Sequence, residues 1–260
     1  MDFILNLWIY FLIFAFGAVF GSFLNVLIIR THFDEAWWSG RSKCPNCHHE
    51  LSGFELIPIL SFIFLRGKCS NCQAKISLQY PSVELISGLL ALLSVYNFGF
   101  TPTAALLYFV SRLLLGDFVS DLLYMELPEI FNYSLFLCGI VYQAFIGHNT
   151  LFSILLGAAF GFLFFFLQFI LSKKQGIGEG DIRLGVIIGL FLGWPLTIFS
   201  ILSSYVVATL VFIPMILLKK VSMKSAVPLG VFLLPVLFVF LFWKQEVRDF
   251  FSTYFIFALS

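Results

Sequence analysis

Charged residues are scarce in this chain: 15 Lys and Arg and 14 Asp and Glu make up 11% of 260 residues, against 60% hydrophobic. So little charge, with uninterrupted apolar stretches and a mean hydropathy of +1.01, excludes an ordinary water-soluble domain and implies a polytopic membrane protein. A basic segment ahead of the first apolar stretch is also missing. That stretch, about Phe3 to Ile29, follows Asp2 and is too long for a signal-peptide core, so it reads as a retained helix. No basic cluster suggests a nucleic-acid surface, and the net charge of +1 hides a strong asymmetry in where the charges lie.

Phenylalanine, by contrast, is abundant. Runs such as Phe164, Phe165 and Phe166 imitate an aromatic ligand box, but their neighbours are equally apolar, which makes them lipid-facing bulk. A helix crossing the hydrocarbon core needs about 20 apolar residues. On that measure eight spans are expected, near 3–29, 83–100, 103–124, 130–147, 150–172, 182–194, 196–218 and 226–243. The span at 182–194 is short and ends at Trp194 and Pro195, so it and its successor could instead form one bent helix. The apolar tail from Phe250 to Leu259 is too short to cross. Small residues recur at helical spacing as Gly17 with Gly21, Gly157 with Gly161, and Gly185 with Gly189 and Gly193. Such spacing favours close helix approach, because lipid gives packed helices no hydrophobic reward for associating.

Residues from Arg30 to Pro81 are different: polar, rich in Ser, Asn and Cys, and interrupted only by a mildly apolar patch from Leu56 to Leu65. They form a small extramembrane domain. Cytoplasmic loops are rich in Lys and Arg. With the N-terminus outside, Arg30, Arg41, Lys43, Arg66, Lys68, Lys75, Lys173, Lys174, Arg183, Lys219, Lys220 and Lys224 all fall inside. Only Lys244 and Arg248 fall outside, with Arg112 inside a span. The asymmetry supports both the span count and a cytoplasmic location for the Cys-rich domain.

Four of the five cysteines form two pairs, Cys44 with Cys47 and Cys69 with Cys72, separated by 21 residues. Two thiolates three positions apart on a tight turn hold one ion from one side, and a second such knuckle completes a tetrahedral site. The spacing is close to that of zinc ribbons, which points to structural zinc. A reducing cytoplasmic setting disfavours disulfides, and no βαβ pattern surrounds either pair to suggest thioredoxin-like redox chemistry, the remaining alternative. His48 and His49 adjoin the second ligand but are not needed by an ion that four cysteines satisfy. Cys138, alone in an apolar span, reads as a small core residue.

Ionisable residues inside membrane spans are costly and are candidates for function. Here they are Glu84, Arg112, Asp117, Asp121, Glu126, Glu129 and Asp181. In the orientation above, Asp121 ends the third span and Asp181 begins the sixth on the same side, so two carboxylates distant in sequence reach one membrane depth. Two close carboxylates in a low-dielectric site share a proton, one acting as base on water and the other as acid towards a carbonyl. Gly178 and Gly180, in "GIGEGDIRLG" (176–185), would let an extended peptide approach Asp181. Other readings stay open on these residues alone. Asp181 could be the N-cap of its helix, Asp117 and Asp121 could be an i, i+4 face paired with Arg112, and buried acids also serve ion-coupled transport.

Five blocks, in order, carry a resemblance: "GSFLNVLIIR" (21–30), the cysteine block from "CPNCHHEL" to "YPSVEL" (44–85), "DLLYMELPE" (121–129), "GEGDIRLGVIIGLFLGW" (178–194) and "PLGVFL" (228–233). Together they resemble the type IV prepilin peptidase family. The resemblance implies an all-α, eight-helix membrane aspartyl protease of the GxGD type and carries the catalytic pair onto Asp121 and Asp181. It implies cleavage, after a glycine, of the short basic leader of prepilins or pseudopilins at the cytoplasmic face of a bacterial inner membrane. In members with the four-cysteine domain it further implies methylation of the new N-terminus from S-adenosylmethionine. The chain then divides into a first transmembrane helix (1–29), a cytoplasmic four-cysteine zinc domain (30–82), a transmembrane protease core (83–243) and a C-terminal tail (244–260), with both termini outside. Three positions depart from the family pattern: Glu129 where Asp or Asn is usual, Arg183 for Lys, and Gln79 for Arg. The rival functions are a proton-coupled transporter using the buried acids and a non-enzymatic pilus or secretion assembly factor.

Overall fold

The structure, a computed structural model, describes residues 2–172, 177–219 and 228–254. Lys173, Lys174, Lys220 and Lys224 of the charge count, Gly176 of the glycine-rich motif and the first residues of the last expected span lie outside the described residues. Among the described residues the regular structure is helical: α1 (Asp2–His32), α2 (Leu60–Phe64), α3 (Gln79–Phe98), α4 (Pro102–Tyr124), α5 (Glu129–Phe145), α6 (Leu151–Leu171), α7 (Glu179–Leu192), α8 (Leu196–Leu217), α9 (Gly230–Phe242) and α10 (Lys244–Tyr254).

Each of the eight expected apolar stretches is a helix, α1 and α3 to α9. Four of them, α1, α3, α6 and α8, are long and apolar enough by themselves to cross a membrane. A fifth candidate arises if α9 and α10, bent by 95°, count as one broken span. Of the others, α5, α7 and α9 are too short for that standard, at 17, 14 and 13 residues, and α4 carries the charged Arg112, Asp117 and Asp121. The stretch around Trp194 and Pro195 is a true break rather than a bend, since α7 stops against Gly193 at φ 69°, a left-handed conformation that glycine adopts without strain. The C-terminal tail expected at 244–260 begins as α10, whose Phe251 stacks on Phe199 with ring centroids 4.2 Å apart; the rest of the apolar stretch expected at 250–259, from 255 on, lies outside the described residues.

The chain forms two compact units divided within α4, between Gly116 and Asp117. In the first, α1 packs along α3 through its expected small-residue face. A Cβ on Gly17 would lie 2.8 Å from both Ala91 Cβ and Gly88 Cα, and one on Gly21 would lie 2.8 Å from Glu84 Cα. Those glycines are needed because the two backbones touch. Asn25 binds the Tyr80 carbonyl and accepts from the Gln79 side-chain amide, so Gln79 still bridges α1 and α3 without the cation usual there. Arg112 is enclosed and makes no ion pair among the described residues; its guanidinium stacks over Phe20 at 4.6 Å. Pairing of Arg112 with Asp117 or Asp121 is therefore corrected, because aromatic faces and not carboxylates surround the cation.

In the second unit α7 is the central helix, packed by α5, α6, α8 and α9. Eight of its fourteen residues are buried, from Leu184 to Leu192, as expected for a helix apolar all round. Its Gly185 meets Gly161 of α6 backbone to backbone, and a Cβ on Gly157 would lie 2.8 Å from the Gly193 carbonyl carbon. Gln143 of α5 donates to the carbonyls of Leu190 and Phe191, and Asn149 to that of Leu192, satisfying carbonyls that the helix end leaves without partners. Clamped along one side and at its far end, α7 is a rigid mount for whatever stands at its start.

Candidate active site and metal centre

At the start of α7 stands Asp181. Gly178 is the N-cap, and Asp181, at the third helical position, accepts the Gly178 backbone N–H at 3.0 Å. Asp181 as the N-cap is thus corrected: the side chain reaches back to the cap from one turn inside. The glycines have separate roles. A Cβ on Gly180 would lie 2.9 Å from Leu127 Cβ, so Gly180 allows the loop after α4 to lie against α7, whereas one on Gly178 would be in ordinary van der Waals contact with Asp181 Oδ2, at 3.7 Å.

Asp121 lies in the last turn of α4 and is 5% exposed. Its Oδ2 accepts the Val231 N–H at 2.9 Å, a bond across 110 residues to the first turn of α9. Gly230 is in van der Waals reach, since a Cβ there would lie 2.7 Å from the same oxygen. Both carboxyls therefore hold one oxygen on the N-terminus of a helix, whose free N–H groups and positive dipole end stabilise negative charge. They also interact electrostatically with each other. Asp117, one turn before Asp121 and interacting with it, is completely enclosed, and neither of its oxygens accepts a hydrogen bond among the described residues.

Of the other acids, Glu129 pairs with Arg183 at 2.8 Å, tying the start of α5 to the start of α7. Both residues depart from the family pattern, and both keep the charge needed for this pair. Glu84 is buried in α3 and accepts the Ile59 N–H at 2.7 Å. Glu126 sits in the loop between α4 and α5, between Asp121 and Glu129 in sequence. The Val231 N–H as a partner of Asp121 is not visible in sequence; only the "PLGVFL" block hinted that the start of α9 mattered.

In the first unit the four Sγ atoms of Cys44, Cys47, Cys69 and Cys72 lie within 4.8 Å of one another. Cys44 and Cys72 sulfurs are 3.9 Å apart, and those of Cys47 and Cys69 4.0 Å. Zn–S bonds of about 2.3 Å in a tetrahedron require sulfurs roughly 3.8 Å apart, so the set fits one tetrahedral ion. The two knuckles are copies of one turn. In each, the first cysteine N–H bonds a carbonyl five residues on, from His49 or Ala74, and an isolated antiparallel bridge, Lys43 with Glu50 or Lys68 with Lys75, closes it. Asn46 donates to Cys72 Sγ and Asn71 to Cys47 Sγ, each reaching across to the opposite knuckle. The Ala74 backbone N–H, and then the Asn46 amide, draw the Cys72 thiol down to about 6, which favours the thiolate that binds metal. His48 lies at φ 56°, as part of the turn.

Glu55, which sequence reasoning passed over, ties this centre to the neighbouring turn. It accepts the Ser70 hydroxyl and both the N–H and hydroxyl of Ser52. Those bonds, from Ser70 first, hold its carboxyl down to about 2. A depressed carboxyl contributes stability that is complete above the ordinary glutamate range and is lost as pH falls through about 2. At neutral pH, Glu55→Gln is expected to speed amide exchange at Ser52 about five- to tenfold, the loss of about 1 kcal/mol. An unchanged rate would show that the carboxylate is not the cap.

Residues 15–98 match the bacterial peptidase A24 N-terminal domain and residues 105–213 the type IV leader peptidase family. A prepilin leader peptidase/N-methyltransferase of Aeromonas hydrophila is 31% identical over 96% of both chains. The protein of that name from Stutzerimonas stutzeri is 31% identical over 89% of both, and that from Myxococcus xanthus 37% identical over 70% of this chain and 56% of its own. No solved structure matches. On the extent of these matches, the chain belongs to the type IV leader peptidase family.

Proposed function

We propose that this chain is a membrane aspartyl endopeptidase that removes the leader peptide from type IV prepilins or pseudopilins, with Asp121 and Asp181 as its catalytic pair. The observation that carries the reading is the pair itself: two interacting carboxyls from distant helices, each steadied by a helix-start N–H. One ionised aspartate takes a proton from water as the oxygen attacks the scissile carbonyl. Its protonated partner donates to the carbonyl oxygen, and collapse of the tetrahedral adduct expels the amine with the proton held by the first group. The mechanism needs one base and one acid from the pair and ties neither role to a fixed residue. Glycine at 178 leaves no Cβ beside the Asp181 carboxyl, whose Oδ2 such a Cβ would meet at 3.7 Å.

In this reading α1 and α3 to α9 all cross the membrane, the less apolar α4 and the short α7 being sheltered by their neighbours. The termini lie outside, and the cysteine domain and the catalytic pair face the cytoplasm of a bacterial inner membrane, as the Lys and Arg distribution requires. Residues 1–29, 30–82, 83–243 and 244–260 serve as anchor, metal domain, protease core and tail. Cys44, Cys47, Cys69 and Cys72 hold a structural zinc ion; the closed four-sulfur set leaves no open position for catalysis. The names of the relatives support a second activity, methyl transfer from S-adenosylmethionine to the newly formed N-terminus. No residue of this chain is assigned to the methyl donor.

The test is cleavage by the purified protein in detergent, where no ion gradient exists. A prepilin incubated with it is expected to yield leader and mature chain by mass spectrometry, the mature N-terminus gaining 14 Da, about one methylene, per methyl group when S-adenosylmethionine is added. Failure to cleave in detergent, with activity restored only by a proton gradient in liposomes, would favour the transporter.

A further inference from the structure

The apolar patch inside the cysteine domain has no place in a water-exposed module. Its helix, α2, buries none of its residues, and Leu60, Ile63 and Phe64 are 50, 60 and 71% exposed. Where this helix sits is fixed by one bond. The Ile59 N–H, immediately before α2, binds the buried Glu84 of α3 at 2.7 Å. Glu84 lies five residues into α3, about 7.5 Å along the axis from Gln79 at 1.5 Å per residue. Because α3 is long and apolar enough to cross a membrane, the start of α2 is level with the first apolar turns of a spanning helix. On α3, Leu85, Ile86 and Leu89 are exposed just beyond that level and have only lipid to face.

At the other end of α2 the chain emerges with Arg66 and Lys68, both exposed and in no ion pair among the described residues. An apolar face followed at once by free cations is the pattern of an element lying in a bilayer interface whose phosphates are anionic. We propose that Leu60–Phe64 is an interfacial helix, seated in the headgroup and upper acyl region of the leaflet on the cysteine-domain side, with Arg66 and Lys68 on anionic headgroups. The metal domain is then held at two points, by the two ends of α1 and α3 and by this insertion, and it is pressed against the bilayer instead of swinging from its tethers. The inference rests on α3 crossing the membrane and not on the catalytic pair.

The test uses the full chain in lipid nanodiscs, with an environment-sensitive fluorescent amino acid placed at Phe64, at Ile63, or at the exposed Glu50 as reference. Lipids carrying a nitroxide high on the acyl chain are expected to quench the probes at 63 and 64 at least threefold more than the probe at 50, and aqueous iodide to do the reverse. In discs rich in phosphatidylglycerol, Arg66→Gln with Lys68→Gln is expected to lower the nitroxide quenching at least twofold, with no change in purely zwitterionic discs. Equal iodide quenching at all three positions would overturn the proposal. So would probes at 63 and 64 that are shielded only when a prepilin is added, since the face would then belong to a protein partner. Two probe positions guard against one substitution disturbing the fold, and retained metal reports that the domain is intact.

Discussion

Asp121→Asn and Asp181→Asn are each expected to lower leader-peptide cleavage by about four orders of magnitude, the upper range for losing a positioned acid or base. Asparagine preserves the volume of the side chain and an oxygen able to accept the Val231 N–H at position 121, or the Gly178 N–H at position 181. The helix starts therefore keep their partner, and what is lost is the capacity to take and give a proton. Because the two carboxyls act as one unit, the double variant is expected to be no worse than either single one. Residual activity that falls in independent steps would mean that the groups act separately. Normal processing by either single variant, at equal abundance in the membrane, would sink the proposed mechanism.

The second large effect concerns the metal. From Phe33 to Leu78 the buried residues are Cys44 and Cys69 alone, so this stretch has no apolar core apart from its cysteines. A structural ion bound by four thiolates supplies roughly 10–16 kcal/mol in small zinc modules. Nothing else between α1 and α3 approaches that. Cys44→Ser or Cys69→Ser, or prolonged chelation, is expected to release one equivalent of metal and to raise the rate of proteolysis within residues 33–78 by at least about 100-fold. The helical signal should hardly change, since the glycine contacts between α1 and α3 do not depend on the domain. Intact protein without bound metal, or a protease-resistant Cys44→Ser variant, would overturn the zinc assignment.

Much of the helical framework was legible in the sequence because a bilayer imposes a length and a composition on each crossing. The expected stretch at 150–172 is α6 at Leu151–Leu171, and that at 196–218 is α8 at Leu196–Leu217. The glycine spacings read as contact faces are contact faces, between α1 and α3 and between α6 and α7. The cysteine cluster was legible because two short knuckles encode most of a tetrahedral site locally. By contrast, the partners of the polar groups were not legible. One open reading paired Arg112 with the face of Asp117 and Asp121, and it is stacked on Phe20 instead; the helix turn is local, but the ring comes from another helix. Glu55 carried no signal in the sequence, because its role depends on Ser70, fifteen residues away in a folded turn.

By itself the sequence determined that this is a membrane protein with apolar helices, a four-cysteine insertion and acids where lipid would forbid them. Hydropathy, spacing and charge count are properties of consecutive residues, and a membrane reads them one segment at a time. Only the tertiary structure decided which of those acids meet and how they are held. Asp121 takes its partner from Val231, 110 residues on, and Asp181 is aimed by a helix locked between Gly161 and Gln143. Such bonds are set by how helices pack in three dimensions, and the energy that fixes them comes from burying polar groups that no single segment can satisfy alone.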